Sequence, residues 1–270
     1  MFARAIEIAT AFTNPYIGLR RRASGELFTT TGAFVLVNED GWFLTSAHII
    51  EEIMACRRDC GAEGGSTNDS RVVATSEIWA APGFDARHPE IAEAHVNPVA
   101  DVALCRLEGI DPSGIGATPV FRDTARRQID QGMSVCRLGF PFYEVAATYD
   151  EERQAFDLDA RAFPVPRFAL DGIVARFNRR LGADGTTSAL YIETSTPGLR
   201  GQSGGPLLDT AGRVCGIQSH TSHIDLGFDA QYSAPDGMVI ERQFLNVGAA
   251  THVDEVRALM DSAGVRYRLG

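Results

Sequence analysis

From residue 32 onward the chain alternates short apolar runs with compact polar turns. Ala33-Phe34-Val35-Leu36-Val37 leads through Asn38-Glu39-Asp40-Gly41 into Trp42-Phe43-Leu44-Thr45. An Asp-Gly pair between two apolar runs is a hairpin signal, because tight hairpin turns need residues that tolerate positive φ. The same grammar recurs where Leu207-Leu208 leads through Asp209-Thr210-Ala211-Gly212 into Arg213-Val214-Cys215-Gly216-Ile217. Further strands are predicted over 71–78, 102–107, 134–138, 168–176 and 190–193. Many short strands with few helical stretches read as an all-β sandwich or barrels.

Three segments break this pattern with helical spacing. Residues 2–13 place Phe2, Ile6, Ala9 and Thr13 on one face, which predicts a short amphipathic helix packed on the body of the protein. A membrane-surface helix backed by Arg20-Arg21-Arg22 is the sharper alternative. A second helix begins after His48 with Ile49-Ile50-Glu51-Glu52-Ile53-Met54, and a third covers 253–262 after Thr251, with Val253, Val256, Leu259 and Met260 in register. Residues 57–70 and 143–166 read as long surface loops, the latter acidic over Asp150-Glu151-Glu152.

Composition narrows the class. A 270-residue chain with 44% hydrophobic residues can bury one large core or two moderate ones, which excludes disorder and small disulfide-stapled folds. A net charge of −10 argues against nucleic acid or an anionic membrane as the partner and weakly favours cationic peptides. The five cysteines are odd in number, and three lie in apolar runs, so buried thiols and a reducing compartment are expected. Arg4 and Glu7 interrupt the apolar stretch at the N-terminus before a secretory signal could form. The expectation is a bacterial cytoplasmic protein, with an exported form without disulfides left open.

Candidate chemistry concentrates in three places. Gly201-Gln202-Ser203-Gly204-Gly205-Pro206 sets a serine among glycines that can turn backbone N–H groups inward. A serine hydroxyl needs an adjacent base and a pocket for the oxyanion, for which the N–H groups of Gly201 and Ser203 are the candidates. His48 closes an apolar strand, and Asp101 heads the apolar run Val102-Ala103-Leu104-Cys105. A carboxylate buried there is costly unless a group such as His48 Nδ1–H pairs with it. Taken singly, each has a bland reading as a glycine-rich turn, a structural histidine or a strand-end acid. The order His, Asp, Ser makes the combination a candidate triad. The same serine also matches the Gly-x-Ser-x-Gly elbow of α/β-hydrolases, with His220, His223 and His252 downstream, but that elbow needs a helix after the serine and βα alternation around it. Cys56 with Cys60 and His220 with His223 are metal half-sites without a matching second half, so no metal and no cofactor is expected.

With these motifs together, the sequence resembles the trypsin-like serine peptidases, particularly the bacterial HtrA-like branch. The resemblance rests on Thr45-Ser46-Ala47-His48, Asp101-Val102-Ala103-Leu104 and the run from Gly201 to Leu207, with Gly139-Phe140-Pro141-Phe142 and Gly172-Ile173-Val174-Ala175 fitting that branch. It covers about residues 30–262. It implies an all-β, chymotrypsin-like pair of perpendicular six-stranded antiparallel barrels with the active site between them. The corresponding division is an N-terminal helical segment over 1–22, barrels over 23–125 and 126–250, and a C-terminal helix and tail over 251–270. It further implies His48, Asp101 and Ser203 as catalytic residues, Gly201 and Ser203 as oxyanion donors, and a polypeptide substrate, with a regulatory protein partner left open. A catalytically idle binding module of the same fold is the alternative from another functional class.

Departures from the family sharpen these expectations. Where digestive enzymes carry the aspartate of the activation ion pair, this chain has Gln202, so the loop over 196–202 must be preformed or ordered by something else. Where they carry the acid that selects Arg or Lys, it has Pro197, which disfavours cleavage after basic residues. The pocket wall is expected from Ser219, His220 and Thr221, with a small or medium apolar P1 as the default and an acidic P1 facing His220 as the alternative. Ile49 replaces a disulfide cysteine, and the end at Gly270 leaves no room for a PDZ domain. Residues 143–166 read as an insertion near the cleft.

Overall fold

The computed structural model describes residues 1–61, 68–80, 90–109, 111, 114–143, 145–235 and 237–270. Helix α1 (Ala3–Thr10) precedes the first sheet, built from β1 (Thr13–Arg22), β2 (Leu27–Leu36), β3 (Trp42–Thr45), β4 (Val72–Trp79), β5 (Ile91–Asn97) and β6 (Val102–Leu107). Helix α2 (Ala47–Gly61) lies between β3 and β4. The strands follow the order β4-β1-β2-β3-β6-β5, all antiparallel. Among the described residues no ladder joins β4 to β5, so this sheet is an open half-barrel.

The second sheet is closed. It contains β7 (Val120–Phe121), β8 (Ser134–Gly139), β11 (Phe168–Leu181), β12 (Ser188–Thr194), β13 (Pro206–Leu208), β14 (Val214–Ala234), β15 (Gly237–His252) and β16 (Arg268–Leu269). Strand β13 pairs with both β8 and β14, which completes a six-stranded ring through β11, β12 and β15. Strands β7 and β16 extend it by short parallel pairings. Helix α3 (Val253–Ser262) follows β15 directly and docks through Val253, Val256 and Met260. Its N-cap is His252, whose Nδ1 accepts from Asp254 N, rather than Thr251, which ends the ladder opposite Tyr191.

Sequence and structure part company at three elements. The expected helical segment over 1–22 is helical only to Thr10, and 13–22 is β1, between β2 and β4 in the first sheet. Pro15 disfavours helix continuation, and Ile17 and Leu19 then bury on one face while Tyr16 faces another cluster. The basic triplet serves ion pairs, Arg20 with Glu77, Arg21 with Glu151 and Arg22 with Glu26. The boundary at 125 also moves, because β7 already belongs to the second sheet. Residues 143–166 form a hairpin of β9 (Ala147–Asp150) and β10 (Ala155–Leu158) in place of a loose surface loop. Val145, Ala162 and Val165 bury against Ile17, Leu19, Ala33 and Phe140, so an insertion between strands of the second barrel straps itself across the first.

The largest core cluster crosses the barrel boundary. Val35, Leu44 and Leu104 from the first sheet pack with Val135, Leu138, Tyr191 and Leu207 from the second. Leu104→Ala is expected to cost about 2–5 kcal/mol, as for other buried leucines. Because the cluster is shared, denaturant unfolding followed by fluorescence and by circular dichroism should shift together as one transition.

Candidate active site

His48 and Asp101 both belong to the first sheet's end of the cleft. Strand β3 delivers the chain to the first turn of α2, where His48 sits half-exposed, and a tight turn over 97–101 precedes β6. Asp101 adopts φ 48°, a left-handed conformation uncommon outside glycine, and the turn is held from both barrels. Asn97 Oδ1 accepts from Ala100 N, Tyr191 Oη donates to Val99 O at 2.7 Å, and Thr251 Oγ1 donates to Ala100 O.

The carboxylate of Asp101 is surrounded by donors. His48 Nδ1 lies 3.0 Å from both Oδ1 and Oδ2, and the His48 backbone N–H donates to Oδ1 at 3.0 Å. Ser219 Oγ donates to Oδ2 at 2.5 Å. Burial opposes ionisation of Asp101, but the His48 hydrogen bond and charge, then the Ser219 and backbone bonds, outweigh it and hold the carboxyl below its ordinary pKa. Burial likewise opposes the His48 imidazolium. The Asp101 hydrogen bond and charge, with smaller help from Glu52 and Glu51, overcome it and raise His48 above its ordinary value. Since Nδ1 carries the proton given to Asp101, neutral His48 keeps an unprotonated Nε2, the atom a base needs.

Ser219 fixes a second tautomer. Its single hydroxyl proton goes to Asp101, so the 2.7 Å contact with His220 Nδ1 requires that nitrogen to be the donor. His220 packs edge-on against Tyr191 with its pKa lowered by burial and by the neighbouring Arg180 and His48 cations, against the opposing pull of Asp101. It is therefore a neutral end of the chain His220–Ser219–Asp101–His48. Ser219, expected only in the pocket wall, is thus also a donor to Asp101.

Ser203 lies across the cleft on the loop before β13. Its carbonyl accepts from Ala33 N at 2.8 Å, which docks the loop on β2 of the first sheet. A Cβ on Gly204 would stand 2.1 Å from Ala33 O, so the approach depends on glycine there. Ser203 Oγ donates to Ser219 O at 3.0 Å, and among the described residues no hydrogen bond joins it to His48. The N–H groups of Gly201 and Ser203 donate to no protein acceptor among the described residues, so both are unspent. A strand, β13, follows Ser203, which removes the α/β-hydrolase reading because that elbow requires a helix.

The loop before the serine has its own fastening. Gln202 is buried; its N–H donates to Leu199 O while its Oε1 accepts from Leu199 N at 3.0 Å, a reciprocal tie across the turn. Upstream, the buried guanidinium of Arg137 donates through Nη1 to Thr196 O, Thr196 Oγ1 and Pro197 O, and through Nη2 to Thr194 Oγ1. Gly248 makes room for it, since a Cβ there would lie 2.5 Å from Nη2. No carboxylate pairs with Arg137 among the described residues, and burial pushes its pKa down to about 10. A buried cation held only by carbonyl and hydroxyl oxygens is an expensive way to order a loop. Sequence reasoning missed it, because Cys136-Arg137-Leu138 reads as an ordinary strand.

A cleft of about 360 Å³ brings these groups together, lined by His48, Ser203, 198–200 and 218–221. Ser219, His220 and Thr221 line it. Pro197 does not, because Arg137 draws the Thr196 and Pro197 carbonyls away and leaves Gly198, Leu199 and Arg200 to form that wall. The half-sites for metal also separate: Cys60 Sγ contacts Val72 O, and His223 Nδ1 meets Asn246 Oδ1, while His220 is tied to Ser219. The thiols of Cys105 and Cys215 are pushed up to about 12 and that of Cys136 to about 11, chiefly by burial, so none of these is a nucleophile.

Two measurements check this geometry. Followed by NMR, His48 should titrate above the ordinary histidine value of about 6.5, and Asp101→Asn should move that midpoint down, because burial then acts without the carboxylate. Arg137→Met should speed amide hydrogen exchange over 196–204 by roughly 10–100-fold, the scale of losing buried charged hydrogen bonds. Protection in β6 should stay unchanged, and Arg137→Lys should restore part of the loss.

Comparison with known proteins agrees with this fold. A solved structure of a serine-to-alanine variant of the HtrA-type protease AlgW with a tripeptide superimposes with a TM-score of 0.53 at 18% identity, over 97% of this chain and 63% of that one. The chain therefore spans under two thirds of that protein. No curated protein sequence matches. The family model described as trypsin-like peptidase domain matches residues 30–217, which takes in His48, Asp101 and Ser203. The chain belongs to the trypsin-like peptidase family.

Proposed function

We propose that this chain is a serine endopeptidase in which Ser203 is the nucleophile, His48 the general base and Asp101 the group that orients the base. The observation that carries the reading is the shared cleft. In it a histidine with Nδ1 spent on a buried carboxylate and Nε2 free faces a serine beside two unspent backbone N–H groups.

Catalysis starts with a rotation of Ser203 from the Ser219 carbonyl toward His48, a change between staggered wells. His48 Nε2 then takes the hydroxyl proton as Oγ bonds to the peptide carbonyl carbon, and the carbonyl electron pair moves onto oxygen. The N–H groups of Gly201 and Ser203 receive that oxyanion, each contributing about 3 kcal/mol in the transition state. Collapse of the intermediate breaks the C–N bond, and His48 returns its proton to the leaving amine. Water, deprotonated by His48, repeats the attack on the acyl-enzyme and releases Ser203. Asp101 stays ionised throughout and stabilises the imidazolium. The walls at 198–200 and 218–221 contain no carboxylate, which supports a P1 side chain without positive charge.

A fluorophosphonate titration tests the assignment. Stoichiometric labelling of Ser203, abolished in Ser203→Ala and in His48→Ala, is expected; an unlabelled wild type would instead identify an idle binding module. The rate should require neutral His48, so kcat/KM for a short peptide ester should rise with pH through a midpoint above the ordinary histidine range, as the raised pKa demands. Asp101→Asn should lower kcat by about 10⁴, by analogy with the same removal in other triads.

A further inference from the structure

Strand β14 does two things in succession. Its residues Ser219, His220 and Thr221 line the cleft beside Ser203, and it then continues outward as far as Ala234. Strand β15 pairs with it from Gly216↔His252 to Ala234↔Gly237, with register shifts between Gln218 and His220 and between Asp225 and Asp229. The barrel, however, stops early, because β12 pairs with β15 only from Tyr191↔Thr251 to Thr194↔Gly248. Beyond Thr221 and Gly248 the two strands therefore form a ribbon with no third strand among the described residues. Residues 222–234 alone extend it about 40 Å at strand rise.

This ribbon exposes large apolar side chains among its charges. Leu226, Phe228, Tyr232, Met238, Ile240 and Phe244 are each 44–66% exposed, on both faces. A two-stranded ribbon in water is marginal by itself, and free edges on exposed strands are usually blunted by lysine, proline or inward charges. The chain has no lysine, and the arm's charges Asp225, Asp229, Glu241 and Arg242 are interspersed among its apolar residues, with Pro only in its turn at Pro235. A third, extended chain would satisfy the open edge and cover the apolar faces.

The position of the arm selects its occupant. In the mechanism above the leaving amine must meet His48, on the first barrel, so the part of the substrate before the scissile bond lies on the other side, along β14. The free edge of β14 leads from Thr221 onto the arm, bulged between Asp225 and Asp229, whereas the outer edge of β15 runs back into β12. We propose that the β14–β15 ribbon is a substrate-docking arm: an extended, apolar polypeptide segment preceding the scissile bond adds to the edge of β14 from Thr221 outward. The proposal rests on the peptidase reading and adds its substrate class, unfolded or extended chains with apolar residues well upstream of the cut.

The register supplies the test. His223 and Asn246 are opposite one another, so replacing 224–245 by Asn-Gly should close a two-residue hairpin and leave the cleft intact. Two substrates are compared, a short peptide ester and a peptide carrying about twelve alternating apolar residues before the same cleavage site, a length matched to the arm. The shortened protein should label with fluorophosphonate and turn over the ester as the full chain does, while KM for the long peptide rises about tenfold with kcat little changed, the signature of lost uniform binding. Phe228→Ser with Ile240→Ser in the full chain should show the same effect more weakly. Equal KM for the long peptide in both proteins overturns the proposal, as does a shift from dimer to monomer in sedimentation without any KM change, which would make the arm a self-association surface. Fluorescence anisotropy of the long peptide on Ser203→Ala, with and without the arm, reads docking separately from catalysis. Absent turnover with arm-dependent binding would sink the peptidase reading and keep the docking arm.

Discussion

The structure depends on how the Asp101 carboxylate is kept ionised between two barrels. Its donors come from both: Nδ1 and the backbone N–H of His48 on the first, and Ser219 on β14 of the second. An ionised carboxylate withdrawn from water is tolerated only when its lone pairs are met, so separating the barrels would strip it of Ser219 and of the Tyr191 and Thr251 bonds that hold its turn. The same separation would open the core shared by Leu44, Leu104, Leu138 and Leu207. Burial of hydrocarbon and satisfaction of one charge thus demand the same barrel arrangement, and the cleft chemistry inherits its geometry from both.

Fastenings around the serine loop follow a similar logic with different groups. Ala33 N–H holds the Ser203 carbonyl from the first barrel, Gln202 ties its own turn, and Arg137 gathers the carbonyls at 196–197 from behind. The inserted β9–β10 hairpin adds an apolar strap from the second barrel's chain to β1 and β2, aided by Arg21, which pairs with Glu151 and lies over the Tyr149 ring. Each fastening is internal to the chain. Together they order the segment that presents the unspent Gly201 and Ser203 N–H groups.

What could be read in advance follows from the range of each interaction. The triad motifs were legible because each places an unusual residue in a local frame: a histidine ending an apolar strand, an acid heading one, a serine among glycines. Strand β6 was legible to the residue, since both its faces are buried and its run is continuously apolar. Arg137, the double role of Ser219 and the strap at 143–166 were not, because their partners lie far away in sequence and nothing in the local pattern announces them. Residues 13–22 failed for another reason. Helical spacing at 2–10 ran on into the apolar positions of β1, and Pro15 was the signal that separates the two. The long ribbon was missed because Gly227, Gly237 and the bulge between Asp225 and Asp229 break the regular alternation that announces a strand.

Stability is distributed unevenly along β14, and the division has a physical consequence. Near Ser203 the strand is pinned by β13, β15, Ser46 and Gly204, whereas past Thr221 it has one neighbouring strand among the described residues. Segments with few buried contacts open first, at free energies well below global unfolding. The cleft end of β14 can therefore hold Ser219 against Asp101 to within hydrogen-bond tolerance while the outer end stays the more compliant part. Under the proposed function and docking arm, specificity for the bond cut falls to the rigid end and capture of the chain to the compliant one, within a single strand.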